Sequence, residues 1–580
     1  MQFLLRCMLK RSHSYPANIQ IRNYCQFKET YRHVHQIENR RFLQSLESSE
    51  KIFRSPRPSL ELPEISLSEY MFSRFSKFGN RNALMDDATG TVYNYSQLED
   101  LSRKVGSFLY RKGLRKNDVI CYYGTNNAEF CLLLLGCASV GVVLTTANPA
   151  YTSGELKRQM EHSGTRTLVT IPPLVTKARQ ADISDIIVIG NVDNYQPFSD
   201  MLADDGRCFP TDITIDPHED VVIMPYSSGT TGLPKGVMLS HYNVVSNLKQ
   251  HQQAFSTTTD DTNYAVLPFY HIYGMVISMC GTLQDGGLLV ITPGFHPEGF
   301  LKAIVNYKVT QLQIVPPILL FLTHHPAVDK YDLSPISNIV CGAAPLGGDY
   351  ERVHEQEELK QTQQRSSFIF EDYGMTEASP MVALDYDSVT VGSAGPLLAD
   401  TKVKFIDLET GKSLGRNETG EVCVRGPQVM KGYRNNAMAT KEMIDAGGWL
   451  HTGDIGYMRD NECIVIADRL KELIKFKGQQ VAPAELEDLL HKHPAVQDVI
   501  VIGMPDDRAG ELPRAYVVLK PEISVHAHDL MKYVKQNVSD YKRLRGGIEF
   551  VKKIPKSPSG KSLRRVFKDQ LLNSQGYRMF

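Results

Sequence analysis

Apolar and polar positions follow two periods along the chain from about residue 60 onward. A repeat of three to four residues predicts an amphipathic helix that ends at 111–113, and it is set by Leu98, Leu101, Val105, Phe108 and Leu109. Short β-branched runs, which predict strands, lie at 167–171, 185–190, 220–226 and 287–291. Because the two patterns alternate, the sequence predicts an α/β fold of largely parallel sheets covered by helices.

The longest run without charged residues, 130–154, is the candidate for a membrane span. Its strongly apolar part stops near Leu144 and gives way to threonine, asparagine and proline. This part is shorter than the roughly 20 apolar residues that a spanning helix needs. The run therefore predicts a buried helix followed by a buried strand, and no transmembrane segment.

Two changes of pattern divide the rest of the chain. From about Val403, turn-rich clusters of glycine, asparagine and aspartate separate alternating strands, which predicts hairpins and a small β-barrel-like part. From about Asp468, a basic segment leads into a helix opened by Pro483 and then a strand. We predict a large domain over 60–467 and a small α+β C-terminal domain over 468–580.

The first 28 residues contain no acidic residue but several arginines and lysines. They lack the unbroken apolar stretch of a secretory signal, so the pattern favours a mitochondrial transit peptide, with 29–59 as a linker. The segment "RNYC" at 22–25 resembles the Arg-x-Tyr sites at which such peptides are cut. The alternative is a disordered basic tail on a cytoplasmic protein. The C-terminal "RMF" is not a peroxisomal signal of the S-K-L type.

Composition limits the partners. The chain has 64 basic and 65 acidic residues, a formal net charge of -1, so no global field attracts nucleic acid or an anionic membrane. The 10 cysteines include no C-x-x-C pair and no histidine–cysteine cluster at metal-binding spacing. This argues against a zinc site and against a secreted disulfide framework, and it predicts buried thiols in a reducing compartment.

The densest candidate for anion binding is "YSSGTTGLPKGV" at 226–237, which is rich in hydroxyl side chains and glycine. A Walker A loop reads G-x-x-x-x-G-K-[ST], with the lysine directly after the second glycine. Here Leu233 and Pro234 separate Gly232 from Lys235. The loop is therefore predicted to bind phosphate but to belong to another class of loop.

Four further stretches supply residue types that suit a nucleotide site. They are "FEDYGMTEASP" at 370–380, "GWLHTGDIGY" at 448–457, "DRLKELIKFKGQQ" at 468–480 and "PKSPSGKSLRR" at 555–565. Asp454 can accept hydrogen bonds from both ribose hydroxyls, and Glu377 can help to hold Mg²⁺. The hydroxyls and backbone N–H groups of 227–236 can wrap phosphates.

In this order the five motifs resemble those of the acyl-adenylate-forming superfamily, in its branch of 4-coumarate–CoA ligases, firefly luciferases and fatty acyl-CoA synthetases. The resemblance covers about 60–570 and implies a reaction in two steps. A carboxylic acid attacks the α-phosphate of Mg·ATP and releases pyrophosphate, and the thiol of coenzyme A then displaces AMP. Lys561 is implied as the cation that stabilises the charge of the first step. The small domain is implied to rotate between the steps about a hinge at Asp468, Arg469 and Lys471.

The resemblance also implies a role for each matched position. Catalytic roles fall on Lys561, Thr376, Glu377, His271 and Lys475, with Glu377 as the Mg²⁺ ligand. Contacts with ATP or AMP fall on Ser227, Ser228, Gly229, Thr230, Thr231, Gly232, Leu233, Pro234, Lys235, Glu371, Asp372, Tyr373, Thr376, Asp454, Arg469, Gln480 and Lys561. The acyl pocket is implied for His271, Tyr273, Ala343 and Asp372, and contacts with coenzyme A are implied for Lys477 and Gly478.

One departure from the family pattern bears on the substrate. The aromatic-acid ligases and luciferases usually have Gln-Gly before Tyr-Gly-x-Thr-Glu, whereas this chain has Glu371 and Asp372. An aspartate on the implied wall of the acyl pocket adds bulk and charge, which disfavours a flat aromatic acid. We therefore predict a medium-chain, long-chain or other hydrophobic acid as the substrate.

Other interpretations stay open from the sequence. The same adenylation could serve a carrier-protein thiol or oxygen instead of coenzyme A, the acid could be aromatic as in the 4-coumarate ligases, or the fold could belong to a non-catalytic binding protein. Outside the family pattern, His271 would be a core histidine, the basic run at 469–477 a solvated face and Asp454 a turn residue. The oligomeric state stays open between a monomer and a homodimer.

Overall fold

The structure is a computed structural model that describes residues 50–227, 234–255, 257–342, 368–385, 392–469, 472–476, 479–506, 509–538, 540–556, 564 and 567–568. Its strands in chain order are β1 (Phe53–Arg54), β2 (Asn82–Asp86), β3 (Val92–Asn94), β4 (Val119–Tyr123), β5 (Val143–Ala147), β6 (Thr167–Thr170), β7 (Asp185–Val188), β8 (Gln196–Pro197), β9 (Val221–Ser227), β10 (Lys235–Ser240), β11 (Thr262–Ala265), β12 (Leu288–Ile291), β13 (Gln311–Ile314), β14 (Asn338–Cys341), β15 (Phe368–Gly374), β16 (Met381–Leu384), β17 (Lys402–Ile406), β18 (Gly420–Arg425), β19 (Gly432–Tyr433), β20 (Leu450–Met458), β21 (Ile464–Arg469), β22 (Ile474–Phe476), β23 (Gln479–Val481), β24 (Val496–Asp506), β25 (Gly510–Leu519) and β26 (Gly547–Phe550).

The α-helices in chain order are α1 (Leu67–Phe75), α2 (Tyr95–Arg111), α3 (Ala128–Ser139), α4 (Ser153–Ser163), α5 (Val175–Gln180), α6 (Ser199–Leu202), α7 (His241–Ala254), α8 (Thr282–Gln284), α9 (Pro297–Tyr307), α10 (Pro316–His324), α11 (Ala437–Met443), α12 (Pro483–His491) and α13 (Ala527–Asn537). A π-helix spans Tyr273–Gly281, and short 3₁₀ turns lie at Pro172–Leu174, Val328–Lys330, Thr376–Ala378 and Asp540–Lys542. The periodicity that predicted a helix through Leu98 and Leu109 matches α2, whose start is fixed by a capping box between Asn94 and Gln97.

The described strands form four sheets. One eight-stranded sheet has the order β19-β10-β9-β5-β4-β6-β7-β8, and its pairs from β9 to β8 are parallel. The other has the order β16-β15-β14-β13-β11-β12-β2-β3, with parallel pairs from β15 to β2. The α/β class and the largely parallel sheets are therefore confirmed.

The region of hairpins predicted from about Val403 forms an antiparallel sheet in the order β1-β17-β18-β20-β21. The chain then leaves this sheet. A separate sheet with its own apolar core follows, and it consists of β22, β23, β24, β25 and β26. A smaller C-terminal unit thus follows a large N-terminal one, as the sequence predicts. The change of sheet falls between Arg469 and Ile474, beside the predicted hinge.

The charge-free run at 130–154 becomes α3 followed by β5, and both elements are buried throughout most of their length. Ten of the residues of α3 are buried, so this helix has no polar face and lies inside the core of the large unit. Among the residues that the structure describes, no helix is long and apolar enough to cross a membrane.

Candidate active site

The predicted phosphate loop joins two antiparallel strands. β9 ends at Ser227, β10 begins at Lys235, and these two residues are opposite each other in the pairing. A Walker A loop instead leads from a strand into a helix. Residues 228–233 of the motif lie outside the described residues. The hairpin therefore separates this loop from the P-loop class on topology as well as on the spacing of its lysine.

Glu377 lies at the base of this hairpin. Its Oε1 atom accepts hydrogen bonds from the Ser227 hydroxyl at 2.9 Å and from the Tyr433 hydroxyl at 2.8 Å. The residue is only 5% exposed. Among the described residues no group donates a hydrogen bond to its Oε2 atom. A buried carboxylate with one oxygen held and the other available fits a Mg²⁺ ligand, since Mg²⁺ prefers oxygen donors.

The aromatic ring of Tyr433 connects Glu377 with the lysine of the loop. The Nζ atom of Lys235 lies 4.8 Å from the centroid of this ring, within cation–π range. Burial, and then the neighbouring Glu377 carboxylate, raise the pKa of Tyr433, so its hydroxyl stays a hydrogen-bond donor. Tyr433 is not predicted from the sequence, because nothing in "KGYRNN" marks its tyrosine as a partner of a glutamate 56 residues earlier.

The turn that carries Thr376 and Glu377 is held by backbone contacts. The Met375 N–H donates to the Pro380 carbonyl at 2.8 Å, and the Met430 N–H donates to the Glu377 carbonyl at 2.9 Å. A Cβ atom at Gly374 would lie 2.4 Å from the Pro380 carbonyl oxygen, so this position requires glycine. The family motif Tyr-Gly-x-Thr-Glu is thus explained locally by the close approach of two backbone segments.

Asp454, on β20, is buried, and its Oδ2 atom accepts a hydrogen bond from the Tyr373 hydroxyl at 2.8 Å. The backbone of Arg469 is directly opposite Asp454 in the pairing of β20 with β21. Three residues that the sequence assigned to nucleotide binding, Tyr373, Asp454 and Arg469, are therefore brought together from separate motifs.

Asp372 is the residue before Tyr373 on β15, and it contacts a different set of groups. Its Oδ1 atom accepts a hydrogen bond from the Tyr273 hydroxyl at 3.1 Å. A Cβ atom at Gly342 would lie 1.8 Å from the same oxygen, so the carboxyl group fills the space beside that glycine. Burial raises the pKa of Asp372 to about 7. Two residues predicted for the acyl pocket, Tyr273 and Asp372, thus form a direct pair.

His271 precedes the π-helix Tyr273–Gly281, whose residues are all buried. The Tyr273 N–H donates to His271 Nδ1 at 3.4 Å, which assigns the ring proton to Nε2. π-Helical turns are rare and occur frequently at functional sites, and this one was not predicted from the sequence. This π-helix begins at Tyr273, whose hydroxyl donates the hydrogen bond to Asp372.

The remaining predicted residues are placed only in part. Lys475 and Gln480 are opposite each other in the β22–β23 hairpin. The backbone of Asp468 and Arg469 ends β21, and Glu371 belongs to β15. Pro234 is exposed at the end of the phosphate loop. The other predicted residues, which are Ala343, Lys471, Lys477, Gly478 and Lys561, lie outside the described residues.

The comparisons with known proteins identify the family to which the chain is similar. Residues 72–434 match the model of the AMP-binding enzyme family, and residues 485–561 match the model of the AMP-binding enzyme C-terminal domain. The 4-coumarate-CoA ligase 1 of Narcissus pseudonarcissus is 40% identical over 540 residues, which cover 90% of this chain and 97% of that protein. The 4-coumarate–CoA ligase of Pinus taeda is 40% identical over 538 residues, which cover 90% of this chain and 98% of that protein.

The fold is also similar to that of a solved structure. The ATP-bound structure of MatB from Rhodopseudomonas palustris superposes with a TM-score of 0.79 at 26% sequence identity. The match covers 89% of this chain and 100% of that one.

Proposed function

The chain belongs to the family of AMP-binding enzymes, and we propose that its substrate is a hydrophobic carboxylic acid, of medium or long chain or otherwise apolar. The enzyme is an acid–CoA ligase that forms AMP, acts through an acyl-adenylate and uses ATP, coenzyme A and Mg²⁺.

The reaction has two steps, and we propose a different role in it for each of two described residues, Glu377 and Asp454. An oxygen of the acid attacks the α-phosphorus, an acyl–phosphate bond forms, and the bond to pyrophosphate breaks. The thiol of coenzyme A then attacks the acyl carbon, loses its proton and releases AMP. Glu377 would hold Mg²⁺, which neutralises phosphate charge. Asp454 would accept from the ribose hydroxyls, and its hydrogen bond from Tyr373 keeps the carboxylate in place.

The observation that carries the proposed substrate is the pair of Asp372 and Tyr273. The carboxyl group occupies the space beside Gly342 that a glycine at position 372 would leave empty. A flat ring that needs this space would be excluded. Since the pKa of Asp372 is raised to about 7, the carboxyl group is largely uncharged below that pH and can lie against an apolar chain.

A second candidate is an aromatic acid of the 4-coumarate type. It is favoured by the names of the relatives that are 40% identical over most of the chain. The two candidates differ at one position, because the aromatic-acid ligases usually have glycine where this chain has Asp372. An Asp372→Gly variant is therefore expected to gain activity on 4-coumarate relative to wild type.

The test is pyrophosphate release by the purified full chain with a panel of fatty and aromatic acids, each with and without coenzyme A. We expect release and thioester formation with medium- or long-chain acids, and weak release with 4-coumarate. Preference for 4-coumarate in the wild type would contradict the proposed substrate. Pyrophosphate release without any thioester would instead favour a carrier-protein thiol or oxygen as the acceptor.

The proposed role of Lys561 is tested by separating the two half-reactions. Lys561→Ala should abolish adenylation, because it removes the cation that stabilises the transition state, a contribution of roughly 10² to 10³ in rate. Thioester formation from supplied acyl-adenylate should be nearly unchanged. An equal loss in both half-reactions would contradict both the catalytic role and the rotation of the small domain about 468–471.

We also propose that the enzyme acts in the mitochondrial matrix, where activation of fatty acids would suit its substrate. The support is the acid-free, basic segment over residues 1–28, which resembles a transit peptide. A fluorescent fusion of residues 1–28 should enter mitochondria, and a fusion in which the arginines of this segment are replaced by glutamine should not. Cytoplasmic fluorescence of the unmodified fusion would contradict the proposal.

A further inference from the structure

A cluster of three potential metal ligands lies on the antiparallel sheet β1-β17-β18-β20-β21, and the ligase reaction gives it no role. The ligand atoms of Glu421 and Cys423 on β18 lie within 4.8 Å of each other, across a register shift between these two residues, and His451 on β20 is directly opposite Cys423. We propose that these three side chains bind a transition-metal ion, with Zn²⁺ as the cation that best fits a thiolate, an imidazole and a carboxylate.

The distances fit a shared ion. The Nδ1 atom of His451 lies 3.0 Å from Glu421 Oε2 and 3.5 Å from Cys423 Sγ. All three ligand atoms lie within 4.8 Å of one another. A tetrahedral zinc ion with ligand bonds of about 2.0 to 2.3 Å separates its ligand atoms by about 3.3 to 3.8 Å. The observed contacts are therefore close to the edges of one coordination tetrahedron.

A second carboxylate orients the histidine. The Nε2 atom of His451 lies 3.5 Å from Asp445 Oδ2. The other oxygen of Asp445 is fixed by the backbone N–H groups of Gly447 and Trp449, at 2.8 and 2.9 Å. A histidine that binds metal through one ring nitrogen almost always donates its other N–H group to a carboxylate, a backbone carbonyl or water. Asp445 supplies this partner, and the turn that follows it holds the carboxylate in place.

The charges around the cluster allow a cation to bind. The Nζ atom of Lys404, a cation of the neighbouring strand β17, is engaged by Glu50 at 3.0 Å and lies 4.7 Å from the centroid of the Trp449 ring. Cys423 is fully buried and Glu421 largely so, which keeps the ligands dry. Metal binding would release the thiol proton of Cys423, because the thiolate is the form that binds metal.

The competing explanation is an ion pair without metal. His451 would then be doubly protonated and would donate one N–H to Glu421 and the other to Asp445. The two explanations differ in Cys423: a metal would take its thiolate, 3.5 Å from the imidazole, as a ligand, whereas without metal the thiol donates weakly to the Glu421 carbonyl at 3.9 Å. A metal would join β18 to β20 three residues before Asp454. It would therefore stabilise the strand that carries Asp454, the residue proposed to bind the ribose.

The test is a titration of the tag-free full chain, stripped of metal, with Co²⁺ as an optical probe for Zn²⁺. We expect about one equivalent to bind with a thiolate-to-cobalt charge-transfer band, and Zn²⁺ to displace it and raise Tm. The band should disappear in Cys423→Ser and in His451→Gln. It should remain in Cys463→Ser, a buried thiol outside the cluster, and in Cys208→Ser, an exposed one. Asp445→Asn should weaken Co²⁺ binding about 10-fold.

The band distinguishes this site from the Mg²⁺ site, because Glu377 has no thiolate beside it among the described residues. Absence of a charge-transfer band in the wild type would overturn the proposal and favour the ion pair. A band that survives in Cys423→Ser, or one that disappears in Cys208→Ser, would equally overturn it. If Cys423→Ser fails to fold, the His451→Gln variant provides the test instead. A charge-transfer band that remains in His451→Gln would overturn the proposal.

Discussion

Two neighbouring residues of β15 serve two different sides of the site. Tyr373 donates to Asp454 and belongs to the nucleotide side, where Tyr373, Glu377 and Asp454 match the family pattern. Asp372 accepts from Tyr273 and belongs to the acyl side, where the chain departs from that pattern. Because successive residues of a strand point to opposite faces, one strand can keep the common adenylation chemistry while its other face changes the acid.

Glu377→Gln should have the largest effect on the nucleotide side. The substitution keeps an oxygen for Ser227 and Tyr433 but removes the charge that would hold Mg²⁺. We expect adenylation to fall by roughly 10² to 10³, measured as pyrophosphate release at saturating acid, with a higher requirement for Mg²⁺. Tyr433→Phe is the matched control and should cost less than about 10-fold. Equal losses in the two variants would mean that the carboxylate acts through the tyrosine.

Asp454→Asn should have the second largest effect, on the affinity for ATP. An amide loses the charge that strengthens hydrogen bonds from the ribose hydroxyls, so KM for ATP should rise by about 10- to 100-fold. The same variant should discriminate less between ATP and 2′-deoxy-ATP than the wild type does. Tyr373→Phe, which keeps the Asp454 carboxylate but removes the hydrogen bond to it, is the comparison variant. Unchanged discrimination in Asp454→Asn would contradict contact with the ribose.

The sequence predicted local features well and long-range pairs poorly. Strand and helix periods predicted the α/β class, and short motifs marked Glu377 and Asp454 as candidate site residues, because each pattern depends on residues close together in the chain. The contacts of Tyr273 with Asp372 and of Tyr433 with Glu377 join residues 99 and 56 positions apart. Such pairs depend on how the sheets are packed, and no local pattern encodes them.

The cysteines show the same limit. Their spacing argued against a zinc site, yet Cys423 and His451 are opposite each other across two strands while 28 positions apart. Metal motifs that are recognised from sequence bring their ligands together within a few residues. The proposed ligand set is assembled by strand pairing and has no such spacing, so its residues come together only through the register between β18 and β20.

Asp372→Asn tests the acyl side through pH. The pKa of Asp372 is raised to about 7, so its side chain gains a negative charge as pH rises from 6 to 8. If an apolar acid lies against it, KM for that acid should rise by up to about 10-fold over this range in the wild type, since charge near an apolar chain is unfavourable. Asp372→Asn should give a flat profile. A profile of the same shape in both enzymes would place the titrating group elsewhere.

The smallest expected effect is on stability, and it follows from the same carboxyl group. Burial raises the pKa of Asp372 from 3.8 in the unfolded chain to about 7 in the folded one. Between these two values the folded state binds more protons than the unfolded state, so the free energy of unfolding falls as pH rises through this window. Asp372 is partly exposed to solvent, which reduces the expected loss to about 1 to 2 kcal/mol.

Asp372→Asn keeps the acceptor for Tyr273 and should remove this loss, so urea unfolding should find the variant more stable than wild type at pH 8 but not at pH 4. Equal stability at pH 8 would show that the site solvates the charged carboxylate, and the acyl side would then tolerate a more polar acid than proposed.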